Sequence, residues 1–208
     1  MGLRSRFFAL TYDRQLAKVE KAGLAEKRGR LLAGASGRVL EIGGGTGLNL
    51  AHYAPGVELT VTEPEEPMLK RLRQRVGAEA PETEVVQAPA EALPFEDGSF
   101  DAAVTTLVLC GVDDQSRALG ELRRVLRPGG RLLFIEHVRS DDPGQARWQD
   151  RLNFLSRFVS CCDCNRSTLA AIEAAGFDVE EVEHTELPKS PPFVRPLIVG
   201  TATTPAAR

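Results

Sequence analysis

Apolar positions along the chain follow two alternating patterns. Short runs of consecutive apolar residues, bounded by glycine or proline, read as buried strands. Longer stretches with apolar residues at three- and four-residue spacing read as amphipathic helices. Residues 1–34 carry the helical pattern through Leu16, Val19, Leu24, Leu31 and Leu32, and Gly34-Ala35-Ser36-Gly37 ends it. Arg38–Ile42 then reads as a strand, 43–47 as a glycine-rich turn, and Leu48–Tyr53 as a helix stopped by Pro55-Gly56. Val57–Thr62 is the second strand. Residues 65–78 form a helix with Met68, Leu69, Leu72 and Val76 on one face, and Glu84–Gln87 is the third strand. Phe100–Leu109 is a long apolar run, expected as a central buried parallel strand. Gln115–Leu126 is helical, with Leu119, Leu122, Val125 and Leu126 inward, and Pro128-Gly129-Gly130 ends it. Arg131–Glu136 is a fifth strand, 144–160 and Ser167–Ala175 are helices, and Phe177–Glu183 and Val194–Ala202 are late strands. Thr203–Arg208 reads as a loose tail.

The regular beat of strand and helix predicts an α/β fold. It implies a Rossmann-like, mostly parallel, seven-stranded sheet with helices on both faces. Right-handed crossovers bring the C-terminal ends of the early strands to one edge. Ligands bind there, where the strand order reverses.

Composition narrows the function. The formal net charge is −3 over 208 residues, and Lys and Arg are scattered, which argues against a nucleic-acid partner. No apolar run approaches the ~20 residues that span a bilayer. The apolar stretch near the N-terminus is cut off by Tyr12, Asp13 and Arg14, too early for a signal segment. A cytoplasmic setting is expected. Adjacent Cys161 and Cys162, with Cys164 and Cys110, are a poor disulfide framework. They also lack zinc spacing, with only His184 as a remote further ligand, so no metal is expected. The sequence leaves the oligomeric state open.

The chemistry starts at Glu41-Ile42-Gly43-Gly44-Gly45-Thr46-Gly47, which joins the first strand to the next helical segment. Glycines 43, 45 and 47 allow a tight turn and a close backbone approach to a ligand. A dinucleotide fingerprint would need glycine at Leu48, and a phosphate loop would need a lysine that is absent. The carboxylate of Glu41 would repel a diphosphate and suits a cation such as an aminoacyl sulfonium. Glu63, at the end of the second strand, can accept hydrogen bonds from both hydroxyls of a ribose.

These residues resemble the class I S-adenosylmethionine-dependent methyltransferases. Val39–Gly47 is similar to their glycine motif, Thr60-Val61-Thr62-Glu63 to their ribose-binding acid, and Ala90–Phe95 with Asp97–Asp101 to their adenine loop and fourth strand. Leu126–Leu132 resembles the turn before strand five. Thr106–Cys110, Glu136-His137-Val138, Cys162 with Asn165-Arg166, and Val194–Gly200 resemble the methyltransferase-like thiol methyltransferase branch, whose animal members methylate alkyl thiols. Two features depart from the pattern. Pro89 replaces the Asp often found before the Ala-Glu pair, and the hydrophobic anchor of the animal members is missing.

The resemblance implies one methyltransferase domain over 1–208. It divides into an N-terminal helical cap (1–34), a cofactor-binding half (35–140), and acceptor-side helices and strands (141–202). S-adenosylmethionine is the implied cofactor and a small, apolar molecule the acceptor. Gly43, Gly45 and Gly47 are expected to cradle the cofactor, Glu41 to hold its ammonium and Glu63 its ribose. Ala90 and Glu91 would flank the adenine, the Thr106 carbonyl would meet the amino-acid portion, and Tyr12 would close over it. His137, ending strand five, is the expected general base, since its ordinary pKa near ~6.5 suits a thiol or phenol. Cys162 is expected in the acceptor pocket wall, with Trp148 and Phe154 as an apolar lid. Arg123, Arg124, Arg127 and Arg131 read as a solvated helix end. Other readings are carbon or oxygen methylation of a quinone or lipid-like acceptor, nitrogen methylation of a phospholipid head group, and a non-catalytic cofactor-binding module.

Overall fold

A computed structural model describes residues 3–160 and 162–206; Cys161 lies outside the described residues. A seven-stranded sheet runs in the order β3-β2-β1-β4-β5-β7-β6. Its strands are β1 (Arg38–Ile42), β2 (Glu58–Thr62), β3 (Glu84–Val86), β4 (Phe100–Thr106), β5 (Leu126–His137), β6 (Asp178–Glu186) and β7 (Pro196–Thr203). β7 is antiparallel to both its neighbours, β5 and β6; the other pairs are parallel. The helices are α1 (Leu3–Val19), α2 (Ala25–Leu32), α3 (Glu66–Glu79), α4 (Gln115–Val125), α5 (Pro143–Ser160) and α6 (Thr168–Ala174). The order reverses between β1 and β4, and the ligand crevice of such a sheet opens there.

Alternate residues of each strand feed two cores, one on each face. Leu40, Ile42, Ala103, Leu132 and Phe134 pack with Leu119 and Leu122 of α4 and Ile172 of α6. Val39, Val61, Val104, Leu133 and Ile135 pack with Val19, Leu24, Leu32 and Leu72 from the α1–α3 side. The two-residue period of a strand then sorts the functional edge. Glu41, Thr106 and His137 fall on the face covered by α1 and α2. Ile42, Thr105 and Glu136 fall on the other. Thr106 pairs with Ile135, so His137 stands two residues farther out along the edge.

Several local expectations are corrected. Leu48–Tyr53 is not an α-helix; only Leu50–His52 makes one 3-10 turn. The preceding residues are committed to tight turns, with Gly47 N–H donating to Gly44 O (2.8 Å) and Leu50 N–H to Gly47 O (3.2 Å). β4 stops at Thr106 because Leu107 takes φ +59°, which breaks the extended run. Pro128-Gly129-Gly130 does not separate helix from strand. Leu126 already pairs with Phe100, and the register shift before Ala102 absorbs the turn. The C-terminal tail starts later than expected. Thr203 pairs within the sheet, and buried Thr204 donates from its amide to Gly130 O (2.9 Å) and from its hydroxyl to Arg127 O (2.7 Å). Between α1 and α2 the helix widens into a π-turn, Glu20–Leu24, with Gly23 at φ +131°.

Candidate functional site

The glycine loop leaves β1 and folds back on the sheet edge, where Gly44 N–H donates to Thr62 O of β2 (2.9 Å). The glycines differ in what they permit. A side chain at Gly43 would strike Val108 at 2.7 Å, whereas one at Gly45 would meet only the Tyr12 ring, at 4.0 Å. Gly43 is required by packing; Gly45 borders an open cleft. That cleft is lined by Tyr12, Arg28, Glu41, Gly43, Gly44, Gly45, Thr46, Leu48, Asn49 and Thr106.

Its floor is a buried polar chain. Glu41 accepts hydrogen bonds from the Tyr53 hydroxyl (2.7 Å) and Asn49 Nδ2 (3.1 Å). Asn49 Nδ2 also donates to Thr106 Oγ1 (3.1 Å), and Asn49 Oδ1 accepts from Arg28 Nη1 (2.8 Å). Arg28, only 4% exposed, pairs in turn with Glu20 at 3.0 Å. Burial is the main influence on Glu41 and raises its pKa to about 7, against the hydrogen bonds and the Arg28 charge that favour the ionised form. Glu63 accepts from the amides of Gly45 (2.8 Å) and Glu65 (2.9 Å), which aims its carboxyl at the loop; burial raises its pKa too. A carboxylate has about four lone-pair sites, so room remains for ligand hydroxyls.

α1 closes the cleft from above. Burial pushes the Tyr12 phenol up to about 12, so it stays a neutral hydroxyl. Asp13 ties the helix down. It accepts from Thr46 Oγ1 of the glycine loop (2.5 Å) and from Arg71 and Arg75 of α3 (3.0 Å each).

Of the residues singled out from sequence, Tyr12, Glu41, Gly43, Gly45 and Thr106 line the cleft, and Glu63 joins through the Gly45 amide. Gly47, at φ +84°, packs behind the loop against Leu50 and Leu72. Ala90 is buried in the core, and Glu91 turns its carboxylate to the amides of Asp113 (2.8 Å) and Asp114 (3.2 Å). His137 stands apart at the end of β5. Its ring is 8% exposed and Nδ1 has no hydrogen-bond partner among the described residues. Burial lowers its pKa to about 4, opposed by the backbone carbonyls of Pro196 and Val194. Cys162 is buried beside Cys110, whose thiol it holds well above the ordinary range together with burial. Trp148 and Phe154 do not form a lid: they are 59% and 71% exposed, on the outer face of α5. The arginines expected as a solvated helix end are partly engaged. Arg124 bonds Glu121, Asp97 and the carbonyls of Leu93 and Phe95.

Sequence reasoning missed Arg28, Asn49 and Asp13. One signal for Arg28 was present. It shares a helical stripe with Leu24, Leu31 and Leu32, so a guanidinium sits where the core face should continue.

The cleft thus brings two buried carboxyls and one buried guanidinium to the edge of the glycine loop. A ligand carrying an ammonium, a carboxylate and a vicinal diol matches that donor set, and a diphosphate does not.

Comparison with known proteins agrees. The family described as "Methyltransferase domain" matches residues 40–134. The human thiol S-methyltransferase TMT1A is 35% identical over 202 residues, covering 94% of this chain and 82% of that protein. Demethylmenaquinone methyltransferase of Thermus thermophilus is 42% identical over 102 residues, covering 48% of this chain and 46% of that protein. A crystal structure of an S-adenosylmethionine-dependent methyltransferase from Thermotoga maritima, described as a possible histamine N-methyltransferase, superposes with a TM-score of 0.71 at 27% identity. It covers 96% of this chain and 97% of its own.

Proposed function

The chain belongs to the S-adenosylmethionine-dependent methyltransferase family that includes the thiol S-methyltransferases, and from this premise we propose that its acceptor is a small, apolar thiol. The enzyme transfers a methyl group from S-adenosylmethionine. The observation that carries the thiol reading is the extent of the likeness. The match to the human thiol enzyme runs through 94% of the chain and so takes in most of α5 to β7, the segment we assign to the acceptor side. The quinone enzyme is more identical locally but covers only 48% of the chain, so a quinone acceptor ranks behind a thiol. Transfer of labelled methyl to a panel of alkyl thiols, phenols, demethylated quinones and phosphatidylethanolamine tests this. Methylation of thiols alone is the expected result; methylation of quinones with no thiol product overturns it.

When bound, the cofactor supplies a methyl group made electrophilic by its sulfonium. The chain's own residues do the rest. Glu41 holds the ammonium and Arg28 the carboxylate of the amino-acid end, with Asn49 and Thr106 fixing the distance between them. Glu63 holds the ribose hydroxyls, while Gly45 keeps the approach free of a side chain and Gly43 and Gly47 let the loop pack tightly behind it. Ala90 and Glu91 border the adenine through their backbone, since the Glu91 carboxylate is engaged elsewhere. Tyr12 covers the cleft and excludes water. Alignment of the acceptor with the methyl carbon can contribute ~7–11 kcal/mol.

His137 receives the acceptor's proton at Nδ1. With its pKa lowered to about 4 by burial, the ring is neutral at pH 7, and its buried Nδ1 has no hydrogen-bond partner among the described residues. A thiol near ~8.5 is too weak an acid to be ionised by such a base beforehand. The proton therefore moves as sulfur attacks, when its acidity rises.

The chain works in the cytoplasm on a small molecule rather than on nucleic acid. Its net charge of −3 and the free thiols of Cys110, Cys162 and Cys164 support that setting. Among the described residues no helix is long and apolar enough to cross a membrane.

A further inference from the structure

α5 follows directly on the functional edge of the sheet, and its two faces have opposite characters. The inner face is bolted down. Buried Gln149 donates to Val138 O (2.9 Å) and Cys164 O (2.7 Å) and accepts from the Ser140 amide (2.7 Å). The outer face presents Trp148, Phe154 and Leu155 at 59%, 71% and 39% exposure. At 3.6 residues per turn, these three fall with Arg147 and Arg151 in one sector of about 120°. The sector continues into an apolar groove where Trp148 and Leu152 face Pro192 and Phe193.

The charges on this face are uncompensated. Asp150 is taken up by Arg139 (2.8 Å), and Arg157 pairs with Asp163 (3.6 Å). Arg147 donates to the Pro143 carbonyl (3.1 Å), and neither it nor Arg151 has an acidic partner among the described residues. Exposed aromatic rings interleaved with unpaired guanidiniums, in a protein of net charge −3, form a local exception to the rest of the surface.

We propose that the outer face of α5 docks on an anionic lipid bilayer. A helix lying in the headgroup plane carries this composition. Its Trp, Phe and Leu side chains enter the acyl boundary, while arginine stems extend along it and keep their charges among lipid phosphates. A second copy of the chain fits less well. Two-fold self-contact would bring four guanidiniums with no acidic partner into one interface, where like charges repel. The proposal does not depend on the acceptor being a thiol.

Trp148 is the only tryptophan in the chain, so its emission reports this face alone. Vesicles of phosphatidylcholine mixed with phosphatidylglycerol are expected to shift that emission to the blue, and brominated lipid to quench it; phosphatidylcholine alone should do neither. The double variant R147A/R151A is expected to partition roughly 30-fold more weakly, because each arginine near an anionic surface acts about independently. The variant should bind S-adenosylhomocysteine by calorimetry as the parent does, which separates lost docking from lost folding. Unchanged emission with anionic vesicles overturns the proposal. So does a blue shift that follows protein concentration without lipid, since a second copy would then cover the face. Equal binding of parent and double variant to the anionic vesicles also overturns it.

Discussion

The two ends of the functional edge are built differently. At β1 and β2, each buried acid is already held: Glu41 by Tyr53 and Asn49, Glu63 by two backbone amides. At the end of β5, neighbouring side chains carry buried atoms with no partner, His137 Nδ1 and Glu136 Oε2 among the described residues. An unpartnered buried polar atom is costly, on the order of 1–3 kcal/mol, and is retained where a ligand completes it. The acids of the first end are therefore held in advance, although Thr62 Oγ1 at the end of β2 also lacks a partner among the described residues. Burial acts in the same sense at both ends, against the charged form. It raises the acids Glu41, Glu63 and Glu136 and lowers His137, so all of them shift toward the neutral form in the absence of ligand.

The contrast can be broken at either end. The largest effect is expected from His137→Ala, which should lower kcat by about 10²–10⁴-fold with cofactor affinity unchanged. Steady-state kinetics beside calorimetry distinguish the cases, and an unaltered kcat would reduce the ring to a packing role. Next comes Glu63→Ala. Losing hydrogen bonds to a charged group should weaken S-adenosylmethionine binding by about 10–100-fold while leaving the acceptor KM intact. A parallel rise in acceptor KM would mean that the two ends are coupled.

The third effect concerns pH. Glu41 is half protonated near pH 7 in the free protein, and a bound ammonium favours its ionised form. Affinity for S-adenosylmethionine should therefore climb as pH rises toward 7 and level off above it. Below that point it should fall by up to about tenfold per unit. Calorimetry across pH 5.5–8.5 (roughly that window) reads the slope, and Glu41→Gln should flatten it. The smallest effect is expected from Asp13→Ala, which releases α1 from the glycine loop and α3. These ion pairs are partly exposed, so about 1 kcal/mol of stability is at stake, a fall of roughly 2–4 °C in Tm. A larger fall would show that the cap, and not the sheet, limits stability.

Much of this was legible before any coordinates. Val39 to Ile42 followed by Gly43, Gly45 and Gly47 announce a strand entering a turn, because only glycine tolerates positive φ cheaply. Glu41 and Glu63 followed from charge logic at two strand ends. Where the reading slipped, the cause was local. Leu48–Tyr53 has helical composition, yet the glycine turns before it consume the residues that would start a helix. Phe100–Leu109 is uniformly apolar, so nothing in its hydrophobicity marks the reversal at Leu107. Trp148 and Phe154 are apolar residues on a helix, and hydrophobicity alone points such residues inward.

The sequence by itself determined the order of most strands and helices and the glycine turn. These depend on backbone permission and on the period of apolar residues, both written in neighbouring positions. Only the tertiary structure decided that Arg28 lies beneath Asn49 and Glu41, that Asp13 locks the cap, and that His137 stands beside Pro196 and Val194. Those contacts join segments far apart along the chain. Their burial sets the proton affinities on which the chemistry turns, and burial belongs to the packed whole.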